Sequence, residues 1–236
     1  MIPARIGSTR LKMKNLALLN GKSLISYSIL AAQKAGVFDR IVINSDSHIF
    51  KSIADRYGIE FYERPEHLGS STTKSDDVVL DFMQNNSSEV VVWVNPISPL
   101  QTGEEIKNVI QYFQKENLDS LITVKEEQVH CVYQGKPVNF EESGKFAQTQ
   151  DLEPVQPFVY SVMMWRAKSF FEAMKLQGHA LLSGKVGYYP VNKWSSIIIK
   201  TEHDLKLASY ALRALETDES EVEYDDLTLA LSKSKH

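Results

Sequence analysis

Strand and helix periodicities alternate along this chain, and no other feature narrows its fold as far. Residues 23–37 carry Leu24, Ile25, Tyr27, Leu30, Ala31 and Ala35 at helical spacing, and Gly36 ends the run. Residues 40–45 form a short β-branched segment with a polar exit, Asn44-Ser45-Asp46. Ser45-Asp46-Ser47 can cap a second helix that runs through Tyr57 and stops at Gly58. Residues 60–63 read as a strand and 75–85 as a helix. Residues 89–95, Glu-Val-Val-Val-Trp-Val-Asn, are almost continuously apolar, as suits a strand covered on both faces. Thr102 caps a helix to about Glu116, with Glu105 completing a capping box, and 120–124 is the next strand.

The pattern lapses over 125–157, where Gln134-Gly135-Lys136-Pro137 and Ser143-Gly144 supply turns between short strand-like pieces. It resumes with a strand at 158–165, a helix from Lys168 to about Lys175, strands near 187–191 and 195–200, and a helix over 202–216. The acidic stretch from Thr217 is expected to be a frayed or disordered end. This order predicts one α/β domain over 1–236, a mostly parallel sheet with helices on both faces and a β-rich insertion at 125–157. Ligands of such sheets lie at the carboxyl ends of the strands, here Asn44-Ser45-Asp46 and Asn95-Pro96.

The first fifteen residues carry the clearest chemistry. A short apolar start enters a loop with Gly7, Ser8, Thr9 and four cations, Arg5, Arg10, Lys12 and Lys14. Backbone N–H groups and hydroxyls donate to oxyanions, and the cations neutralise charge. Gly7 allows the backbone to turn and approach a ligand. The loop is neither a Walker loop nor a G-x-G-x-x-G fingerprint. From the residues alone, a solvated basic arm remains the alternative. Only Met1 and Ile2 precede Pro3, so the first strand is either stunted or begins before this sequence.

The net charge of −4 makes that basic loop stand out and gives no footing for nucleic acid or a membrane surface. No apolar run approaches bilayer-spanning length, and no secretory leader precedes the loop. One cysteine, Cys131, rules out an intrachain disulfide and a cysteine metal cluster; with the missing leader it suggests the cytoplasm.

The string Ile2-Pro3-Ala4-Arg5-x-Gly7-Ser8-x-Arg10, ending in Lys14-Asn15, resembles the nucleotide loop of sugar-activating cytidylyltransferases. The terminal Lys14-Asn15 is similar to the acylneuraminate branch, which acts on sialic and other nonulosonic acids. Lys12 stands where that loop commonly has proline. Asn44-Ser45-Asp46 resembles the family's Ser-Thr-Asp, and Arg64-Pro65-Glu66-His67-Leu68 its Arg-Pro-x-x-Leu. Pro96-Ile97-Ser98-Pro99-Leu100 resembles Pro-Thr-Ser-Pro-Leu, and Gln150-Asp151-Leu152 with Tyr160 a further string. The resemblance implies a Rossmann-like, glycosyltransferase-A-type fold, CTP and an acidic sugar as substrates, and a homodimer built by the insertion.

Carried over residue by residue, the resemblance makes Arg5 and Lys14 the catalytic pair that binds the CTP phosphates. Gly7, Ser8 and Asn15 join them around the nucleotide. Arg64 and Ser75 would contact cytidine or ribose, Asn95 replaces a glutamine, and Gln150 and Tyr160 face the sugar. Read as residues, Arg64 is equally a surface arginine, and Ser75 and Asp46 are equally helix caps. The resemblance also implies Mg²⁺ held by two aspartates, but those positions hold Ile198 and Lys200, so no protein ligand for the metal is identified. Thr149 and Gln156-Pro157 also depart from the family's sugar-side residues. The expected activity is CTP-dependent formation of a CMP-sugar with release of pyrophosphate. The alternative is a catalytically impaired homodimer that binds a nucleotide or sugar nucleotide.

Overall fold

The computed structural model describes residues 1–143, 145–217, 222, 224 and 225. Apart from two short hairpins of two-residue strands, its strands are β1 (Ile2–Ala4), β2 (Val42–Ser45), β3 (Glu60–Glu63), β4 (Val90–Val94), β5 (Ser120–Val124), β6 (Phe158–Arg166) and β7 (Val186–Pro190). Between them lie helices α1 (Leu24–Ala35), α2 (Ile49–Tyr57), α3 (Ser75–Asn85), α4 (Gly103–Lys115), α5 (Ala167–Gln177) and, last, α6 (Glu202–Glu216). Gly36 and Gly58 end α1 and α2 in left-handed conformations at φ 64° and 63°, the role their sequence positions suggested.

The β1, β2 and β3 strands pair in parallel, with Ile2 opposite Ile43 and Ile43 opposite Phe61. On the other side β6 runs antiparallel between β4 and β5, and β7 pairs parallel with β5. The Met1 backbone joins the two halves. Its amine donates to the Val92 carbonyl at 2.8 Å, and the Val94 N–H donates to the Met1 carbonyl at 3.0 Å. The strand order is therefore β3-β2-β1-β4-β6-β5-β7, mostly parallel, with β1 central despite Pro3. Because alternate residues of a strand bond to opposite neighbours, Pro3 turns toward β4 as Met1 does. The missing N–H thus falls where β4 ends at Val94, at the rim of the ladder.

Side-chain alternation divides the core into two layers. Val92, Val94, Val162 and Met164 face Ile25, Ile29, Phe50, Ile106 and Phe113 on α1, α2 and α4. Val91, Trp93, Met163 and Trp165 face Val78, Phe82 and Phe170 on α3 and α5. The continuous apolar run at 89–95 is explained by these two covered faces. Against the edge of this body, α6 packs Ala208 and Ala211 onto Leu19, Leu24, Leu100 and Ile199.

Several local expectations are corrected. Residues 195–200 form no strand. The Ser196 N–H donates to the Asn192 carbonyl and Ile197 N–H to Trp194, so the chain coils into a turn. It then runs past Ile97, held by the Ile199 N–H on the Ile97 carbonyl at 2.7 Å. The Ser45-Asp46-Ser47 string does not cap α2, whose first residue follows His48 without a side-chain cap. Thr102 does cap α4, but the Glu105 carboxylate turns to Asn192 and Gln101, leaving the box half made. The segment 125–157 holds little strand among its described residues. A two-residue ladder (Val132–Tyr133 with Lys136–Pro137) and a Glu127–Val155 bridge are all it pairs. Its apolar side chains Val129, Val132, Tyr133, Val138 and Phe146 are exposed, with no sheet face beneath them. The expectation for the acidic tail falls almost wholly outside the described residues.

At Gly103, α4 starts against α1. A Cβ there would stand 2.7 Å from the Ala35 nitrogen and 2.8 Å from the Ala31 carbonyl oxygen, both backbone atoms that cannot swing away. Gly103→Ala should therefore cost roughly 1–3 kcal/mol and lower the melting temperature by several degrees. Gly7→Ala, whose Cβ would meet nothing within 4 Å, should melt like the wild type. Thermal denaturation of both variants checks the contrast.

Candidate functional site

The carboxyl ends of β1 and β4 and the exit of β3 open onto a cavity of about 310 Å³, at the lower end of the range for small-ligand sites. The N-terminal loop supplies Arg5, Ser8, Arg10, Lys14 and Asn15 to its wall. Arg64, Ser75 and Asn95 complete the set expected around a nucleotide, and Lys200 closes one side. Residues separated by up to 197 positions, Pro3 and Lys200, thus converge. A second cavity of about 390 Å³ lies at the opposite strand ends, beneath Met1 and lined by Phe38, Phe82, Val90 and Phe113. It is larger and partly polar, but its one cation, Arg40, is paired with Glu60, whereas five cations and no carboxylate line the first.

The loop is anchored from below. The Ile6 N–H donates to Asp46 Oδ1 at 3.2 Å, and the Asn15 amide donates to the Arg5 carbonyl at 3.4 Å. Asp46, expected as a cap or crevice residue, thus ties the end of β2 to the loop. It also faces the buried Arg64, Nη2 to Oδ1 3.7 Å, and Arg64 Nη2 donates to the Ala4 carbonyl at 3.4 Å. Arg64 Nε is buried without a hydrogen-bond partner, and burial holds the guanidinium below its ordinary pKa. Arg64 is therefore no surface arginine. Gly69 permits this packing, because a Cβ there would overlap the Asp46 carboxylate.

Cations crowd the loop side. Lys14 Nζ donates to the Ile199 carbonyl at 3.2 Å, which sets it beside Lys200. Its pKa is lowered to about 8, first by burial, then by Arg10, Arg5 and Lys200, with Asp204 pulling the other way. Like charges gathered in a concave, partly dehydrated site mark a place for a polyanion. The nearby carboxylates are committed elsewhere. Asp204 Oδ2 accepts from Lys200 N, Thr201 N and Thr201 Oγ1, forming a complete capping box for α6. Asp76 Oδ1 accepts from Ala180 N and Leu181 N.

Other expected residues sit apart. Gly7 does not line the cavity, and nothing near it demands a glycine. Ser75 opens α3 without capping it, so its hydroxyl reaches the cavity wall. Lys12 is exposed, and Gln150 lies in an exposed turn, Thr149–Asp151. Tyr160 adopts φ 60° in the bulge of β6. It precedes Ser161, whose carbonyl accepts the Asn95 N–H at 2.8 Å, so it stands next to the cavity without lining it. The residues that sequence reasoning missed are Ser70, Ser71, Thr73 and Trp93. The hydroxyl run Ser70-Ser71-Thr72-Thr73 was a legible signal, being rich in donors and placed between a strand and a helix.

An open α/β sheet with a cationic cavity at its carboxyl edge has the layout in which α/β domains place their ligand sites. The chain matches the cytidylyltransferase family over residues 1–219 and belongs to that family. An N-acylneuraminate cytidylyltransferase of Streptococcus agalactiae serotype V is 29% identical over 164 residues, 66% of this chain but 40% of that protein. A post-translational flagellin modification protein B of Campylobacter coli is 25% identical over 225 residues, 90% of this chain and 93% of that one. In structure the chain is similar to a CMP:2-keto-3-deoxy-manno-octonic acid synthetase complexed with CTP. The TM-score is 0.68 at 14% identity, over 91% of this chain and 97% of the other, a likeness of fold. Among the described residues no helix is long and apolar enough to cross a membrane.

The depressed Lys14 has a measurable consequence. Its folded-state value lies below the ordinary 10.5, so the unfolded chain holds more protons between about pH 8 and 10.5. Stability therefore rises with pH across that window. Lys14→Met should melt above the wild type at pH 7, with the gap closing as pH approaches 10. A melting series over that range checks it; a gap independent of pH would contradict the assignment.

Proposed function

We propose that this chain catalyses CTP-dependent activation of an acidic sugar of the sialic or nonulosonic type, forming a CMP-sugar and releasing pyrophosphate. The observation that carries the reading is the meeting of Arg5, Arg10, Lys14 and Lys200 with Asn15, Arg64, Ser75 and Asn95 in one cavity, in a chain of the cytidylyltransferase family. The name of the streptococcal relative, an N-acylneuraminate cytidylyltransferase, points toward an acidic sugar, and that of the Campylobacter relative toward flagellin modification.

In this reading the sugar hydroxyl attacks the α-phosphorus in line and gives up its proton to solvent, the bond to the β-phosphate breaks, and pyrophosphate leaves with the negative charge. Arg5 and Lys14 hold the phosphates and stabilise the charge that builds on the leaving group. Ser8 and Asn15 position the nucleotide, Arg64 and Ser75 receive cytidine or ribose, and Asn95 lies at the β4 exit between them. Gln150 and Tyr160 bind the sugar from the 125–157 side. The exposed Val129, Val132, Tyr133, Val138 and Phe146 would be covered by a second copy in a homodimer. The cytoplasm, where CTP is made, is the proposed location.

The family implies Mg²⁺, but the positions its aspartates would take hold Ile198 and Lys200. Among the described residues no group of three His, Cys, Asp or Glu could hold a metal ion, and no carboxylate lines the cavity. The residues present do not fit the ion, and no step above runs through it. Ile198 and Lys200 also favour a second reading, a homodimer that binds CTP or a CMP-sugar without turning it over.

Pyrophosphate release from CTP, assayed against a panel of nonulosonic acids, separates the two. Release with at least one sugar is expected, and Arg5→Ala should lower kcat/KM about a hundredfold, the scale for removing one charge-stabilising donor. Silence with every sugar alongside intact CTP binding would select the second reading.

A further inference from the structure

We infer that the cavity takes its triphosphate without a divalent ion, and that Lys200 supplies the charge a metal would bring. This rests on the nucleotide reading and deepens it. A site for a hard dication offers oxygen ligands, one or two of them carboxylates. Here no carboxylate lines the cavity, and three that stand close to it are engaged by the protein. Asp46 accepts from the Ile6 N–H and faces Arg64; Asp76 holds the Ala180 and Leu181 N–H groups. Asp204 accepts from Lys200 N at 2.9 Å and Thr201 N at 2.7 Å. Freeing Asp204 for a metal would strip the cap from α6.

The electrostatics point the same way. Arg5, Arg10, Lys14 and Lys200 line the space together, and Lys14 is depressed first by burial and then by repulsion from the other three. A dication entering alone meets that repulsion, whereas a polyphosphate relieves it. A divalent ion bound to the triphosphate cancels part of the charge these side chains need, so it weakens their attraction. Lys200 serves as a flexible point charge with three donors, suited to contacting phosphate oxygens without fixed geometry.

The test is titration calorimetry of CTP, and of pyrophosphate as a second probe, into the full chain with EDTA and with excess Mg²⁺. CTP should bind in EDTA at least as tightly as with Mg²⁺, and pyrophosphate should follow. Lys200→Met should weaken CTP in EDTA about tenfold, the worth of one charge-assisted hydrogen bond. Its melting temperature should hold, because the side chain is exposed and the backbone bond to Asp204 is kept. CTP affinity that falls tenfold or more in EDTA, or is untouched by Lys200→Met, overturns the inference and leaves the nucleotide reading standing. No binding of either probe under both conditions overturns the two together.

Discussion

Arg64 carries its guanidinium into the interior where three parallel strands end, and the rest of the site is arranged around it. Asp46 faces it from the end of β2, Ala4 accepts from it at the end of β1, and Asp46 in turn holds the Ile6 N–H. One charge pair thereby fixes the exits of β1, β2 and β3 and the first turn of the N-terminal loop. Breaking such a buried pair on one side typically costs about 3–5 kcal/mol, because the remaining charge stays in a poor solvent. The need for close approach explains Gly69, where a side chain would displace the Asp46 carboxylate.

The loop side holds an electrostatic strain of the opposite kind. Three arginine and lysine side chains of the loop and Lys200 of a distant segment are concentrated by the fold, and no carboxylate intervenes in the cavity lining. Such clustering opposes folding and favours anion capture, a trade common where function requires a charged pocket. The left-handed Tyr160, in the bulge of β6 next to the Asn95 contact, is a second local cost at the same rim. Both costs fall where the sheet opens, while the two covered layers around β4 and β6 supply the stability that tolerates them.

Much of the scaffold was legible because periodic apolar patterning and glycine stops are local signals. The segment 89–95 announced a doubly covered strand, and Gly36 and Gly58 announced helix ends. Three kinds of residue were misread for one reason, competition from distant partners. Asp46 gave up capping for the Ile6 N–H, Glu105 gave up its box for Asn192, and the β-branched run at 195–200 packed singly against the loop after β4. In the site, Arg5, Lys14, Arg64, Ser75 and Asn95 were named from sequence and do line one cavity. Ser70, Ser71, Thr73 and Trp93 were not, since hydroxyls in a loop and an indole in a strand have commoner explanations.

The sequence by itself determined the alternating elements, the cationic character of the first loop and the chemical identity of residues 198 and 200. These depend on neighbours within a few positions or on side-chain type alone. Only the tertiary structure decided that Lys200 stands with Lys14 and Arg5, that Arg64 is buried against Asp46, and that Asp204 is spent on a helix cap. Each of those facts joins residues far apart in the chain. Charge and burial act through space, so the balance of cations and carboxylates in the cavity exists only once the sheet has brought its strand ends together.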